Sequence, residues 1–218
     1  MLRGLRAAAL LLPLAGGCGL LQPSAVPQPS FYSLDSKPDA VPGALPPATA
    51  PTLVVNPSHA ASGFDSRRII YAREPHKLEY FAHNEWVDTP ARMISPLIVD
   101  AAEGSGVFRA VVLTPSAAAG DLRLDTEIVR LQHDFRTRPS RVRFTLRAHI
   151  VDNTTRQVLA WREFDQTVPA GTDDPYGGVV AANRAVQAVL EQLASLCIEA
   201  ASRWHSKPAS TAKGAAAD

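Results

Sequence analysis

Cysteine is scarce in this chain. Only Cys18 and Cys197 occur in 218 residues. One disulfide is the most they could form, and their contexts differ too much to suggest a pair. No C-x-x-C spacing occurs and no two of the six histidines stand four apart, so the usual zinc-ligand spacings are missing. Charge of one sign is also lacking. The 22 basic and 21 acidic residues leave a net charge of +1, which gives no broad electrostatic footprint for nucleic acid. The chain has no P-loop, no G-x-G-x-x-G and no G-x-S-x-G elbow. The sequence signatures of nucleotide binding and of α/β-hydrolase chemistry are therefore absent. No apolar run reaches the ~20 residues of a membrane-spanning helix. No internal repeat or heptad array is visible, and no cofactor is expected.

Proline, by contrast, is abundant, with 18 residues, and its placement divides the chain. The N-terminal stretch LLPLAGGCGLLQPS, residues 11–24, follows Arg3 and Arg6 and a short apolar segment, 7–14. A positive start, a short apolar run and then Ala15, Gly16 and Gly17 make a secretory signal in order and size. The cysteine placed directly after these small residues resembles the lipobox of bacterial lipoproteins. The usual pattern has Leu three residues before Cys; here Ala15 holds that place and Leu14 lies one earlier. An ordinary signal peptide with an incidental cysteine is the alternative. The resemblance implies cleavage before Cys18 and attachment of diacylglycerol to its sulfur; more than one acyl chain makes such anchoring stable. Gly19, not Asp, follows the cysteine, which by resemblance to sorting in enteric bacteria favours the outer membrane.

The expected organisation is a signal peptide at 1–17, a lipidated Cys and flexible tether at 18–30, a structured body at 31–205 and a disordered tail at 206–218. A second proline-rich linker, 38–51, lies within the body. The tether is rich in Pro, Ser and Gln and has little to bury. Its 13 residues reach at most about 40–47 Å when extended. A body of about 150–170 residues buries roughly 68–70% of its unfolded surface and needs neither disulfide nor metal.

Within the body, FYSLD (31–35) and TLVVN (52–56) read as short strands. RIIYA (68–72) and LEYFA (78–82) read as a hairpin around REPHK. Thr89-Pro90 marks a helix start, with Thr as cap and Pro at the first position. Ile94, Leu97, Ile98 and Ala101 continue that helix at helical spacing until Gly104 and Gly106. Pro96 inside it predicts a kink or a tight start. Residues 107–113 form a strand ended by Pro115. In 122–128 the even positions are apolar or neutral; the pattern then slips to Val129 and Leu131, which predicts a bulge or two buried faces. Val142, Phe144, Leu146, Ala148 and Ile150 alternate strictly with polar residues, giving a strand with one wet face. DNTTRQ (152–157) is a turn, and 158–164 pairs back. Val186, Leu190, Leu193, Cys197 and Trp204 mark one stripe of a long helix over about 176–204. The expected fold is α+β: a mostly antiparallel sheet with two main helices packed on one face.

Few residues invite chemistry. His149 falls on a wet strand face and reads as solvated surface. Asp121, Asp125 and Glu127 lie opposite apolar positions, and nothing singles out a catalytic pair. Cys197 sits on an apolar stripe and reads as a buried, inert small hydrophobe. Arg136, Arg138, Arg141, Arg143 and Arg147 form the densest basic cluster. They read either as a solvated hairpin tip and face or as a contact for anionic lipid headgroups or an acidic partner. Phe31-Tyr32 and Tyr80-Phe81 read as core or sheet-edge packing, with groove aromatics as the alternative.

The succession of a lipobox, FYSLD, a proline linker and RIIYAREPHKLEYFAHNEWVDTPARMISPLIVDAAEGSGVFRAVV (68–112) resembles the ABC-type transport auxiliary lipoprotein family, which includes paraquat-inducible protein C. Tyr32, Leu34, Ile70, Tyr71, Leu78, Tyr80, Trp86, Pro90, Pro96, Leu97, Gly106 and Phe108 carry the likeness, and LRAHIVDNTTRQVLAWREF (146–164) fits its layout. The resemblance implies an accessory role without catalysis. Its members accompany transporters made of an ATPase, a permease and a substrate-binding protein with an MCE (mammalian cell entry) domain, which move lipids or other hydrophobic molecules between the inner and outer membranes. The lipoprotein would sit at the outer membrane, facing the periplasm, and dock the MCE-domain protein. A ring-like partner would favour a homo-oligomer. A lipoprotein cofactor of cell-envelope assembly or of a cell-wall synthase, or a periplasmic enzyme with a cleft of pKa-shifted groups, are the competing readings.

Overall fold

The computed structural model describes residues 28–35 and 46–205. The signal segment, Cys18 and the tether up to residue 27 lie outside the described residues, as do linker residues 36–45 and the tail 206–218. The element order is β1 (Ser30–Tyr32), β2 (Thr52–Val55), β3 (His59–Ala60), β4 (Arg68–Ala72), β5 (Glu79–Trp86), α1 (Pro90–Gly104), β6 (Ala110–Leu113), β7 (Leu122–Asp134), β8 (Arg141–Asp152), β9 (Val158–Pro169) and α2 (Pro175–His205). The strands form one sheet. The fold class is α+β, as the sequence pattern implies.

The strict alternation of β8 fixes the centre of the molecule. Val142, Phe144, Leu146, Ala148 and Ile150 are all buried. Twelve register pairs join β8 to β7 and eleven join it to β9, all antiparallel. The slip in the β7 pattern is a bulge: the register shifts between Ile128 and Arg130. Leu122, Leu124, Thr126 and Ile128 are buried before it, and Leu131 and His133 after it. One extra residue, Val129, therefore keeps an apolar face turned to the core on both sides of the irregularity.

The other side of β7 takes three short strands in turn. β2 pairs with its start, β3 with its middle and β4 with its end, each parallel. β6 extends the sheet beyond β2, also parallel, while β5 pairs antiparallel with β4 and β1 parallel with β5. The sheet is thus mixed: the long pairings are antiparallel and most of the short ones parallel. Parallel neighbours need crossover connections, and here a helix and long loops return the chain to one edge of β7. Being flanked on both sides, β2 is buried along its whole length, which is why TLVV reads as a continuous apolar run rather than an alternating one.

Both helices cover the apolar face. α2 lies over β8 and β9 and packs against α1. In α1, Thr89 occupies the cap position with extended backbone and Pro90 follows it, but the Thr89 side chain makes no capping bond. Asp88 Oδ1 instead accepts the Thr89 N–H at 2.8 Å. The helix continues through Pro96, beside which Ser95 Oγ donates to Ala91 O at 2.8 Å and accepts the Ser58 N–H at 3.1 Å. Gly106, at φ +69°, follows the helix end, in the left-handed region where glycine is unstrained. α2 begins at Pro175, with Asp174 Oδ1 accepting the Gly177 N–H at 2.7 Å. Its second glycine is required by packing. A Cβ on Gly178 would come within 2.4 Å of His133 Nδ1, so the start of α2 can sit this close to β7 only without a side chain.

Candidate functional site

The face of the sheet away from the helices is ordered in cross-strand rows. Asp125, His149 and Trp161 form one row; Glu127, Arg147 and Glu163 the next; then Arg130, Thr145 and Asp165; then Gln132, Arg143 and Thr167. Opposite charges meet across the strands, as directly opposed pairs on one face should. Arg147 Nη1 donates to Glu127 Oε2 and its Nη2 to Glu163 Oε2, both at 2.9 Å. Arg143 grips Asp165 through Nε and Nη2 at 2.8 and 2.5 Å, and Thr145 Oγ1 adds a third bond at 2.9 Å. This guanidinium holds the Asp165 carboxyl below the usual carboxylate range. His149 stacks on the exposed Trp161 with ring centroids 6.3 Å apart.

The five arginines of the sequence cluster are thereby placed in two settings. Arg143 and Arg147 stand on the sheet face in ion pairs. Arg136, at the start of the β7–β8 turn, clasps Asp134 with Nη2–Oδ2 at 2.5 Å and holds that carboxyl down as well. Arg138 and Arg141 lie exposed at the tip and make no ion pair among the described residues. Asp173 beside them accepts the Ser140 N–H at 2.8 Å and feels the charge of Arg138.

Next to this face the β4–β5 loop makes a wall. Arg73 grips Glu79 through Nε and Nη2 at 2.9 and 2.6 Å. Lys77 Nζ stands 3.7 Å from both Glu74 and Glu79, and His76 takes a left-handed backbone at φ +63°. Between wall and sheet lies a groove of about 470 Å³, lined by Phe64, Glu74, Pro75, His76, Lys77, Leu78, Arg130, Gln132, Asp134, Arg136 and Arg143, with Ala72 at its base. Arg130, a residue of intermediate exposure, has no hydrogen bond or ion pair among the described residues, though Asp165 feels its charge. The sequence cluster did not include it, because it stands in an alternating strand, six residues before the nearest clustered arginine. The bulge at Val129 is what turns Arg130 to the open face.

Inside the molecule, His133 is buried, with Nε2 at 2.8 Å from Ser140 Oγ and its ring 4.1 Å from Phe135. Nδ1 has no partner. Burial pushes its pKa down, against the opposing pull of Asp173, Asp174 and Asp134. A void of about 10 Å³ beside it is roughly the space of a single water. Cys197 is fully buried on α2, where burial pushes its thiol up to about 12, and a thiol that stays protonated is inert. The aromatic pairs divide. Phe81 joins Tyr71, Phe135 and His133 in one cluster, with Tyr71 and Phe81 4.5 Å apart. Tyr32 lies 6.4 Å from Tyr176 at the edge. Phe31 and Tyr80 are half exposed, with the Arg68 guanidinium 4.0 Å over the Tyr80 ring. No group of three metal-ligating side chains occurs among the described residues.

The architecture is a two-layer α+β domain, with helices on one face of a mixed sheet and a charge-paired open face on the other. Protein XCC0632 from Xanthomonas campestris is similar to it at 21% identity and a TM-score of 0.69, over 81% of this chain and 100% of that one. A second solved structure, of an uncharacterized protein, is similar at 11% identity and a TM-score of 0.62, over 78% of this chain and 98% of that one. No curated protein matches. The model of the ABC-type transport auxiliary lipoprotein component family matches residues 32–194, from the end of β1 well into α2. The chain belongs to that family, an auxiliary lipoprotein family of ABC-type transport rather than an enzyme family.

Proposed function

We propose that this chain is an outer-membrane-anchored periplasmic lipoprotein, acting without catalysis of its own as the accessory component of an MCE-type ABC system that moves lipid between membranes. It docks the MCE-domain protein, while the permease and its ATPase supply the energy. The observation that carries this reading is the family match over residues 32–194, which takes in nearly every element of the body. The N-terminal pattern supports it: a lipid on Cys18 would hold the domain at one membrane, and a tether would raise its effective concentration at the docking site. Arg138 and Arg141, the unpaired members of the cluster, are the part of the hairpin free to meet an acidic partner or an anionic headgroup; Arg136, Arg143 and Arg147 frame that contact.

Affinity purification of the full chain from its own membranes tests the docking. It should bring down an MCE-domain protein with its permease and ATPase. Recovery of a cell-wall synthase or a barrel-assembly component instead would replace this reading. The anchor has its own test: radiolabelled palmitate should enter the wild type and not Cys18→Ala, and label persisting in the variant would remove the lipoprotein anchor from the account.

A further inference from the structure

The groove between the β4–β5 loop and the open face of the sheet holds more positive charge than its own carboxylates match. Its lining carries Lys77, Arg130, Arg136 and Arg143 against Glu74 and Asp134. Asp134 is taken by Arg136. Arg143 is fixed by Asp165, which lies outside the lining, and Lys77 stands 3.7 Å from both Glu74 and Glu79, the latter also outside the lining. Arg130 makes no hydrogen bond or ion pair among the described residues, although Asp165 in the same cross-strand row feels its charge. Its guanidinium donors are therefore open to an anion that can accept them.

The donors also have a definite arrangement. Arg136 and Arg143 each bind their aspartate through Nε and Nη2, which leaves both Nη1 groups without an acceptor among the described residues. All the N–H groups of the Arg130 guanidinium are in the same state. Three guanidinium groups with unused donors thus line one concavity, two of them held in fixed orientation by their aspartates. Arg130 springs from the bulge of a twelve-pair ladder and faces Thr145 across it, so rigid strands carry the site, as a preorganised site requires. Guanidinium forks match the oxygens of phosphate, and several forks can share one tetrahedral anion. The volume of about 470 Å³ falls within the usual ~300–1,000 Å³ of small-ligand sites.

We propose that this groove binds a phosphate-class oxyanion, with Arg130 as its principal ligand and the Nη1 groups of Arg136 and Arg143 and the Lys77 ammonium as supporting donors. Its rim is apolar. Phe64, Pro75 and the half-exposed Leu78 border the charged floor. Leu78 also lines a second groove of about 380 Å³, where Ile70 and Tyr80 stand beside Asp65, Ser66, Arg68 and Glu79. A phosphodiester carrying an apolar tail would place its head at Arg130 and its tail past Leu78, whereas a free phosphate would use the floor alone. The inference rests on this geometry and not on the transport reading.

The test is titration of the full chain in detergent with inorganic phosphate, short-chain phosphatidylglycerol and short-chain phosphatidylcholine, following the Arg Nε–H resonances. Phosphate should saturate and move the Arg130 resonance. Arg130→Gln should weaken binding by about tenfold or more, the scale of a lost charge-assisted hydrogen bond. Arg92→Gln, on the exposed side of α1 and outside the groove, should leave it within about twofold, as a screened surface charge would. Lys77→Gln, on the exposed loop, should weaken binding severalfold and keeps the test valid should Arg130→Gln fail to fold. Phosphatidylglycerol binding about tenfold tighter than phosphate, and displaced by it, assigns the site to a lipid head; equal affinity assigns it to the free anion. Failure of both phosphate and phosphatidylglycerol to saturate, or equal losses in Lys77→Gln, Arg130→Gln and Arg92→Gln, overturns the proposal.

Discussion

Arg143 and Phe144 are neighbours in sequence and lie on opposite sides of β8. Phe144 is only 1% exposed and belongs to one continuous core with both helices. Arg143 stands in water with nearly half of its side chain exposed and holds a single aspartate. The two sides of this strand obey different rules. On the helix side every residue is constrained by many neighbours at once, so shape decides what fits. On the open side each residue answers to one or two cross-strand partners, so charge decides. The helix side therefore records how the chain folds, and departures from pairing on the open side, such as Arg130, record what it meets.

The sharpest way to break this contrast is to truncate one residue of each kind. Phe144→Ala should destabilise the domain by about 3–5 kcal/mol, the usual cost of a fully buried aromatic with its cavity, measured by urea unfolding. A loss near that of a surface change would mean the helix side is not close-packed. Next in size is a pH effect confined to the helix side. The folded state keeps His133 neutral, since burial lowers its pKa below 6.5, while the unfolded chain takes up a proton near that value. Between 6.5 and the lower folded value the unfolded state binds more protons, so stability should be level above 6.5 and fall as the pH drops below it. His133→Gln should flatten this slope in unfolding midpoints taken across that range. The lowered carboxylates Asp134, Asp165, Asp173 and Asp174 act in a separate window. Their contributions are present above 3.8 and are lost as the pH falls through their folded values. Smallest should be Arg143→Ala, at or below about 1 kcal/mol, because an exposed pair is weakened by solvent and side-chain entropy. That loss should shrink further at high salt. A larger, salt-independent loss would show that the open face is held by more than pairwise charge.

Much of the helix side could be read before the fold was known. The strict alternation from Val142 to Ile150 fixes β8, the slip at Val129 marks the bulge, Thr89-Pro90 marks the start of α1, and the stripe through Cys197 marks α2. These are local periodicities, and local sequence carries them. The parallel arrangement of β2, β3 and β4 along one edge of β7 was not legible, because partner choice between distant short strands leaves no periodic trace. Two-residue β3 left no signal at all. The site was less legible still. A run of arginines drew the eye to 136–147, yet three of those five are matched by acids from other strands or the adjacent strand end. Arg130 stands apart because its direct cross-strand neighbour is Thr145 rather than an acid, and only the ladder shows that pairing.

Sealing Cys197 has a practical consequence. A thiol held protonated and out of reach in the native domain does not compete for thiol-directed reagents. With only two cysteines in the chain, any maleimide taken up by native protein reports on Cys18. A sulfur already carrying diacylglycerol would stay silent, and an unmodified one would take up a single equivalent. The interior of the domain thus lets one maleimide adduct, read by intact mass, report on anchoring without a radiolabel or an antibody.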